Sequence, residues 1–159
     1  MITAGDVGRG NIRKHLLVQP CLLYTSAGRD YELAKAVCEA VRSFNPALKL
    51  LALSGSKMVE AARDMGLICA QEVFADRAYE EDGSLVDRRK EGAVIEDEEL
   101  AVQRVVRMAK EGVVEAVTGK EIRLVPDSVC VHGDSPQALL FVKKIRNALE
   151  AAGVEVVAF

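Results

Sequence analysis

From residue 29 onward, stretches of helically spaced apolar residues alternate with short continuous apolar runs. Leu33, Val37, Ala40, Val41 and Phe44 share one helical face, with Asp30 suited to the N-cap and Asn45-Pro46 to a stop. Residues 48–53 read as a buried strand. Ser54-Gly55-Ser56 is a small-residue turn that suits the cap of a second helix, which turns Met58, Val59, Ala62 and Met65 inward and ends at Gly66. Residues 67–74 form the next apolar run. The longest loop, 75–92, carries Glu80-Glu81-Asp82-Gly83 between Tyr79 and Leu85-Val86, which predicts a small hairpin excursion. Long ordered loops inside compact domains are often functional.

The acidic run 96–99 starts a third helix, where negative charge complements the helix dipole. Val102, Val105, Val106 and Ala109 form its predicted inner face and Gly112 closes it. Residues 113–117 and 121–125 predict a hairpin around Thr118-Gly119-Lys120. Residues 128–131 predict another strand, and Ala138, Leu139, Val142, Ile145 and Leu149 a fourth helix. Gly153 ends that helix and residues 154–158 read as a last strand. Helices that end at Gly66, Gly112 and Gly153, each with an apolar run close behind, give an α-then-β grammar. That grammar predicts an α/β fold with mainly parallel strands. Residues 1–28 do not share it: they are polar and Gly-rich, and Pro20 interrupts their one apolar stretch.

Bulk composition narrows the function classes. The chain has 159 residues, enough for one domain with a real core, and 50% hydrophobic with 28% charged residues is ordinary for a globular protein. A net charge of −3 and 4% aromatics argue against nucleic acid as a partner. No apolar run is long enough to span a membrane, and the N-terminus lacks a signal-peptide layout, so a cytoplasmic protein is expected. The four cysteines, Cys21, Cys38, Cys69 and Cys130, form no CxxC pair, and only two histidines accompany them. That composition predicts buried thiols rather than a stable metal site.

Candidate chemistry gathers at strand ends, where parallel α/β folds place their sites. The run DSVCVHGDSP at 127–136 reads strand, polar turn, helix, with Ser135 and Pro136 suited to the helix start. It sets His132, Gly133 and Asp134 at the junction. The turn also suits ordinary loop chemistry, with Asp134 assisting the helix start. A second cluster, Glu72, Asp76, Arg77 and Tyr79, follows the run 67–74. A carboxylate there suits a general base, and Arg77 a clamp on carboxylate or phosphate. A loop network of Asp76 and Arg77 that pins the excursion is the simpler local account. Arg88, further along the loop, suits solvent or a fold-back over the site, and Ser54 stands at a third strand end. No second histidine accompanies a nucleophile, so a Ser-His-Asp triad is not supported.

Together EVFADRAY at 72–79, Asp82-Gly83-Ser84-Leu85-Val86 with Arg88, Gly92-Ala93-Val94-Ile95, and DSVCVHGDSP resemble the LamB/YcsF family. Leu53-Ser54-Gly55-Ser56 is similar to that family's small-residue turn. The resemblance implies the A subunit of bacterial ATP-dependent 5-oxoprolinase, which opens the 5-oxoproline lactam to glutamate and works with B and C subunits. It implies the C-terminal part of an irregular β/α barrel of the glycoside hydrolase/deacetylase type, over residues 29–159. It also implies ATP, with Mg2+, as the driving substrate. Glu72, Asp76, His132 and Asp134 would then be catalytic, and Arg77, Tyr79, Arg88, Gly133 and Ser54 would bind substrate or nucleotide. An unactivated lactam is a poor electrophile, and phosphorylating its oxygen eases ring opening.

The pattern departs from the family before residue 29. The family's Asp- and Asn-containing first strand and its His-Gly motifs are missing, roughly 100 residues of a usual barrel. Gln19 and Cys21 stand where the family carries lysine and histidine, and CLLYTS at 21–26 resembles translated adapter sequence. Residues 1–28 are therefore expected to be foreign or frame-shifted, and the chain to be the C-terminal part of a longer protein. Two other readings remain open: a metal-dependent deacetylase-like hydrolase, which needs an Asp-His-His cluster, and an inactive fragment that serves as a binding module.

Overall fold

The computed structural model describes residues 26–132 and 138–157. They fall into two compact units divided between Gln71 and Glu72.

The first unit holds helix α1 (Tyr31–Phe44), strand β1 (Leu50–Leu53), helix α2 (Lys57–Asp64) and the start of strand β2 (Cys69–Phe74). Asp30 caps α1, its carboxylate accepting from the Leu33 N–H at 3.1 Å. The buried stripe of α1 is Ala34, Cys38 and Val41, at the i, i+4, i+7 spacing of one face. Apolar spacing alone points one step away from this. Leu33 is 40% and Phe44 77% exposed, because the small side chains of Ala34 and Cys38 face the α2 residues Met58 and Ala62 in the shared core. Ser56 occupies the N-cap position of α2 without a side-chain capping bond. β1 is buried along its whole length and is the neighbour of β2 in the sheet.

The second unit begins within β2 and continues through helix α3 (Glu98–Glu111), strands β3 (Val113–Glu115), β4 (Glu121–Arg123) and β5 (Ser128–Cys130), and helix α4 (Ala138–Ala151). β2 and β5 pair in parallel, with Glu72, Val73 and Phe74 opposite Ser128, Val129 and Cys130. β3 and β4 form a separate antiparallel hairpin. α3 is capped by Asp97, whose carboxylate accepts from the Glu99 and Leu100 N–H groups, and it ends at Gly112 in the left-handed region at φ 65°. A Cβ at Gly112 would stand 3.1 Å from the Leu124 carbonyl, so glycine answers both the turn and the close approach.

The buried stripes are Ala101, Val105 and Met108 on α3, and Phe141, Ile145 and Leu149 on α4. Leu139, placed inward by spacing alone, is 65% exposed. Residues 154–157, read as a strand from their apolar composition, adopt no strand pairing among the described residues. Residues 1–25 and the turn residues Gly133 and Asp134 lie outside the described residues.

Between β2 and α3 runs the predicted excursion. Tyr79 bridges Leu85 and Arg77 bridges Val94 in antiparallel fashion. A small cluster of Ala78, Val86 and Ala93 is buried beneath it. The ion pair of Lys120 with Glu81 (3.2 Å) ties the β3–β4 turn to the excursion.

Candidate active site

Register builds the site. Phe74 lies opposite Cys130 where β2 and β5 end, and the Ala75 N–H still donates to the Cys130 carbonyl at 3.1 Å. Asp76 and His132 each stand two residues further on, so parallel pairing sets them side by side across 56 residues of sequence. His132 Nδ1 lies 2.7 Å from Oδ2 and 3.0 Å from Oδ1 of Asp76. The other ring nitrogen, Nε2, meets Arg88 Nη2. Guanidinium only donates, so Nε2 accepts and the proton sits on Nδ1, which donates to Asp76. The Phe74 ring backs the imidazole at 6.0 Å between centroids. The side chains of His132 and Asp76 keep 25% and 16% of their exposure. They are held by protein yet open to a ligand.

The other candidates in this unit lie beneath that pair. Arg77 is buried, and its guanidinium donates to the carbonyls of Ala93 (Nε, 3.2 Å) and Val86 (Nη2, 2.6 Å). It pins the excursion from inside. Burial pulls its ordinarily very high pKa down, and the nearby Arg88 charge adds to this. The Tyr79 hydroxyl is fully buried and accepts from the Phe74 N–H at 2.8 Å. Burial raises its pKa well above the usual phenol range, so it stays neutral. Glu72 is fully buried in β2, near Tyr79 and Cys130. Burial first, then Glu72, pushes the Cys130 thiol up to about 12, which leaves it protonated and unreactive at neutral pH. Ser54 belongs to the first unit, where its hydroxyl donates to the Gln71 side-chain oxygen at 3.2 Å.

The structure therefore brings Asp76, His132 and Arg88 together. It places Arg77 and Tyr79 in their support, with Arg77 in the pinning role that the sequence also allowed. Tyr79→Phe is expected to cost about 1–3 kcal/mol of stability, because the Phe74 N–H loses its buried acceptor. Urea unfolding checks this, and an unchanged midpoint would remove the bond from the account.

Arg104 was missed by sequence reading. Its Nη1 and Nη2 both donate to the Arg77 carbonyl at 3.2 Å, which fixes the backbone next to Asp76 from the α3 side. The signal in the sequence was an arginine between Ala101 and Val105 on a buried stripe, a place where a charge needs a fixed acceptor. Beside it, α3, Ile95 and residues 113–117 enclose a cleft of about 370 Å³. Among the described residues, no group of three His, Cys, Asp or Glu side chains could hold a metal ion, and no helix is long and apolar enough to cross a membrane.

An α/β unit with a buttressed Asp–His pair beyond two parallel strands is an arrangement suited to moving a proton. Residues 14–159 match the LamB/YcsF family, and the chain belongs to it. It is 57% identical over 135 residues to the 5-oxoprolinase A subunit of Clostridium beijerinckii, covering 85% of this chain and 53% of that protein. It is 54% identical over 136 residues to the 5-oxoprolinase A subunit of Campylobacter jejuni subsp. doylei, covering 86% of this chain and 53% of that one. The crystal structure of the lactam utilization protein from Thermus thermophilus matches with a TM-score of 0.75 and 44% identity, over 86% of this chain and 54% of that one. The chain thus spans about half the length of the curated relatives it matches.

Proposed function

We propose that this chain supplies part of the catalytic centre of a 5-oxoprolinase A subunit, with His132 as general base for opening a cyclic amide. The observation that carries the reading is the 2.7 Å Asp76–His132 bond at the ends of two paired parallel strands. The names of the relatives supply the substrate class. In this reading water gives a proton to His132 Nε2 and attacks the lactam carbonyl carbon. The ring C–N bond then breaks, and the nitrogen leaves as the amine of glutamate after taking up a proton. Asp76 holds the ring by its Nδ1–H and stabilises the imidazolium that forms.

ATP, the second substrate in this reading, first transfers its γ-phosphoryl group to the lactam oxygen and leaves as ADP; ring C–N cleavage then leaves an acyl phosphate, which a second water hydrolyses to glutamate and inorganic phosphate. Arg88, exposed beside the imidazole, presents the donors that a phosphate or carboxylate takes in pairs. Mg2+ arriving on the nucleotide keeps its waters and phosphate oxygens and needs few protein ligands. The proposal extends to B and C partner subunits, to a cytoplasmic setting, and to residues 29–159 as part of an irregular β/α barrel. By family resemblance, Ser54 and Gly133 belong to the proposed binding residues, and Asp134 and Glu72 to the proposed catalytic ones.

The test combines this chain with purified B and C subunits, 5-oxoproline, ATP and Mg2+, and follows glutamate. ATP-dependent glutamate formation is expected. No glutamate, under conditions in which a full-length A subunit works, would overturn the reading for this chain.

A further inference from the structure

His132 is oriented as a base, but its base atom is covered. Nδ1–H is committed to Asp76, and the lone pair on Nε2 is given to Arg88. That lone pair is the one a general base must offer to water. We propose that Arg88 is a substrate-responsive cap on His132, drawn off Nε2 by the anionic group of the incoming ligand, a carboxylate or a phosphate. This rests on the reading of His132 as the base.

Three observations support it. First, the partnership is unequal. A guanidinium on a neutral imidazole keeps its charge uncompensated, whereas a carboxylate or phosphate offers two parallel charge-assisted bonds. Second, the neighbouring cations are already satisfied. Arg89 pairs with Asp87, Lys90 with Glu80 (3.2 Å), and Arg77 with two loop carbonyls. Among the described residues, Arg88 is the cation of this segment that faces the histidine rather than an acid. Third, the loop is fixed just before it. Val86 is buried and its carbonyl is held by Arg77 at 2.6 Å, while Arg88 itself is exposed. The side chain can therefore swing while the excursion stays closed. Arg88 then acts as a positioning residue in the empty site and as an anion ligand in the filled one. Water meets an available base only when substrate is bound.

The experiment is long-range ¹H–¹⁵N spectroscopy of histidine in the ¹⁵N-labelled full chain at neutral pH, with His15→Gln to assign His132. The expected wild-type spectrum has Nδ1 protonated and Nε2 unprotonated. Inorganic phosphate should move the Nε2 resonance in a saturable way. In Arg88→Gln the apparent phosphate affinity should fall about tenfold or more, as befits loss of a charge-assisted bond. Arg88→Lys, which keeps the charge, should retain most of the response. A protonated Nε2 in the wild type, or a saturable phosphate response of the same affinity in wild type and Arg88→Gln, would overturn the proposal. Free 5-oxoproline is titrated in a parallel arm. A response to phosphate alone supports the cap and counts against the lactam reading. A response to 5-oxoproline supports both, and silence to both ligands overturns the cap.

Discussion

His132→Ala should lower glutamate formation by about 10²–10⁴-fold, the span that one positioned general base contributes. His132 is partly exposed just beyond the end of β5, and its ring packs on Phe74 at the edge of the unit rather than in the core. Its removal should therefore leave the thermal midpoint within about a few degrees of wild type. That separation of activity from stability distinguishes a base from a structural residue. Asp76→Asn sharpens the point. The amide oxygen still accepts from Nδ1–H, so the ring stays oriented, but the negative charge that stabilises the imidazolium is gone. A loss of about 10–10³-fold in turnover with little change in substrate affinity is expected, since the charge acts when the proton moves. Wild-type turnover in either variant would remove that residue from the chemistry.

Arg77→Met carries the second large effect, on stability. Its guanidinium satisfies the Ala93 and Val86 carbonyls inside the excursion. Methionine fills similar space but donates nothing, so the Val86 carbonyl loses the Arg77 bond and the Ala93 carbonyl keeps only the Ala78 N–H, where water does not reach freely. The expected cost is about 2–4 kcal/mol. Local opening should be visible too. The Ala78 N–H donates to Ala93, that of Val86 to Ala78, and that of Ile95 to Asp76. Hydrogen exchange at these three amides should accelerate more than at core amides of α3 such as Val105. The Ile95 bond ends on the Asp76 carbonyl, so turnover should fall along with stability. Equal stability and unchanged exchange would mean that the excursion is held by its hairpin bridges alone.

Both effects trace to contacts that composition and spacing could not supply. Helix positions were legible because capping chemistry is local: Asp30, Asn45 and Gly112 act within one turn of the residues they terminate. The excursion was legible for the same reason, since Glu80-Glu81-Asp82-Gly83 turns the chain where Tyr79 and Leu85 meet. Which side of each helix faces inward was less legible. Apolar spacing points Leu33 and Leu139 inward, while close packing selects Ala34 and Cys38 on α1, and Phe141 on α4. A helix surface with several apolar residues offers more than one face, and the neighbour's shape decides between them. Residues 154–157 show the same limit for strands: β-favouring composition does not supply a pairing edge.

The family, the α/β order and the polar residues at the ends of the β2 and β5 runs were determined by the sequence itself, because motifs, caps and periodicity are properties of short segments. Only the tertiary structure decided that Asp76 and His132 meet, that Arg88 closes on the imidazole, and that Arg77, Arg104 and Tyr79 face inward as support. The physical reason is register. A parallel pairing between segments 56 residues apart fixes which side chains share a strand end, and a slip of one residue would part them.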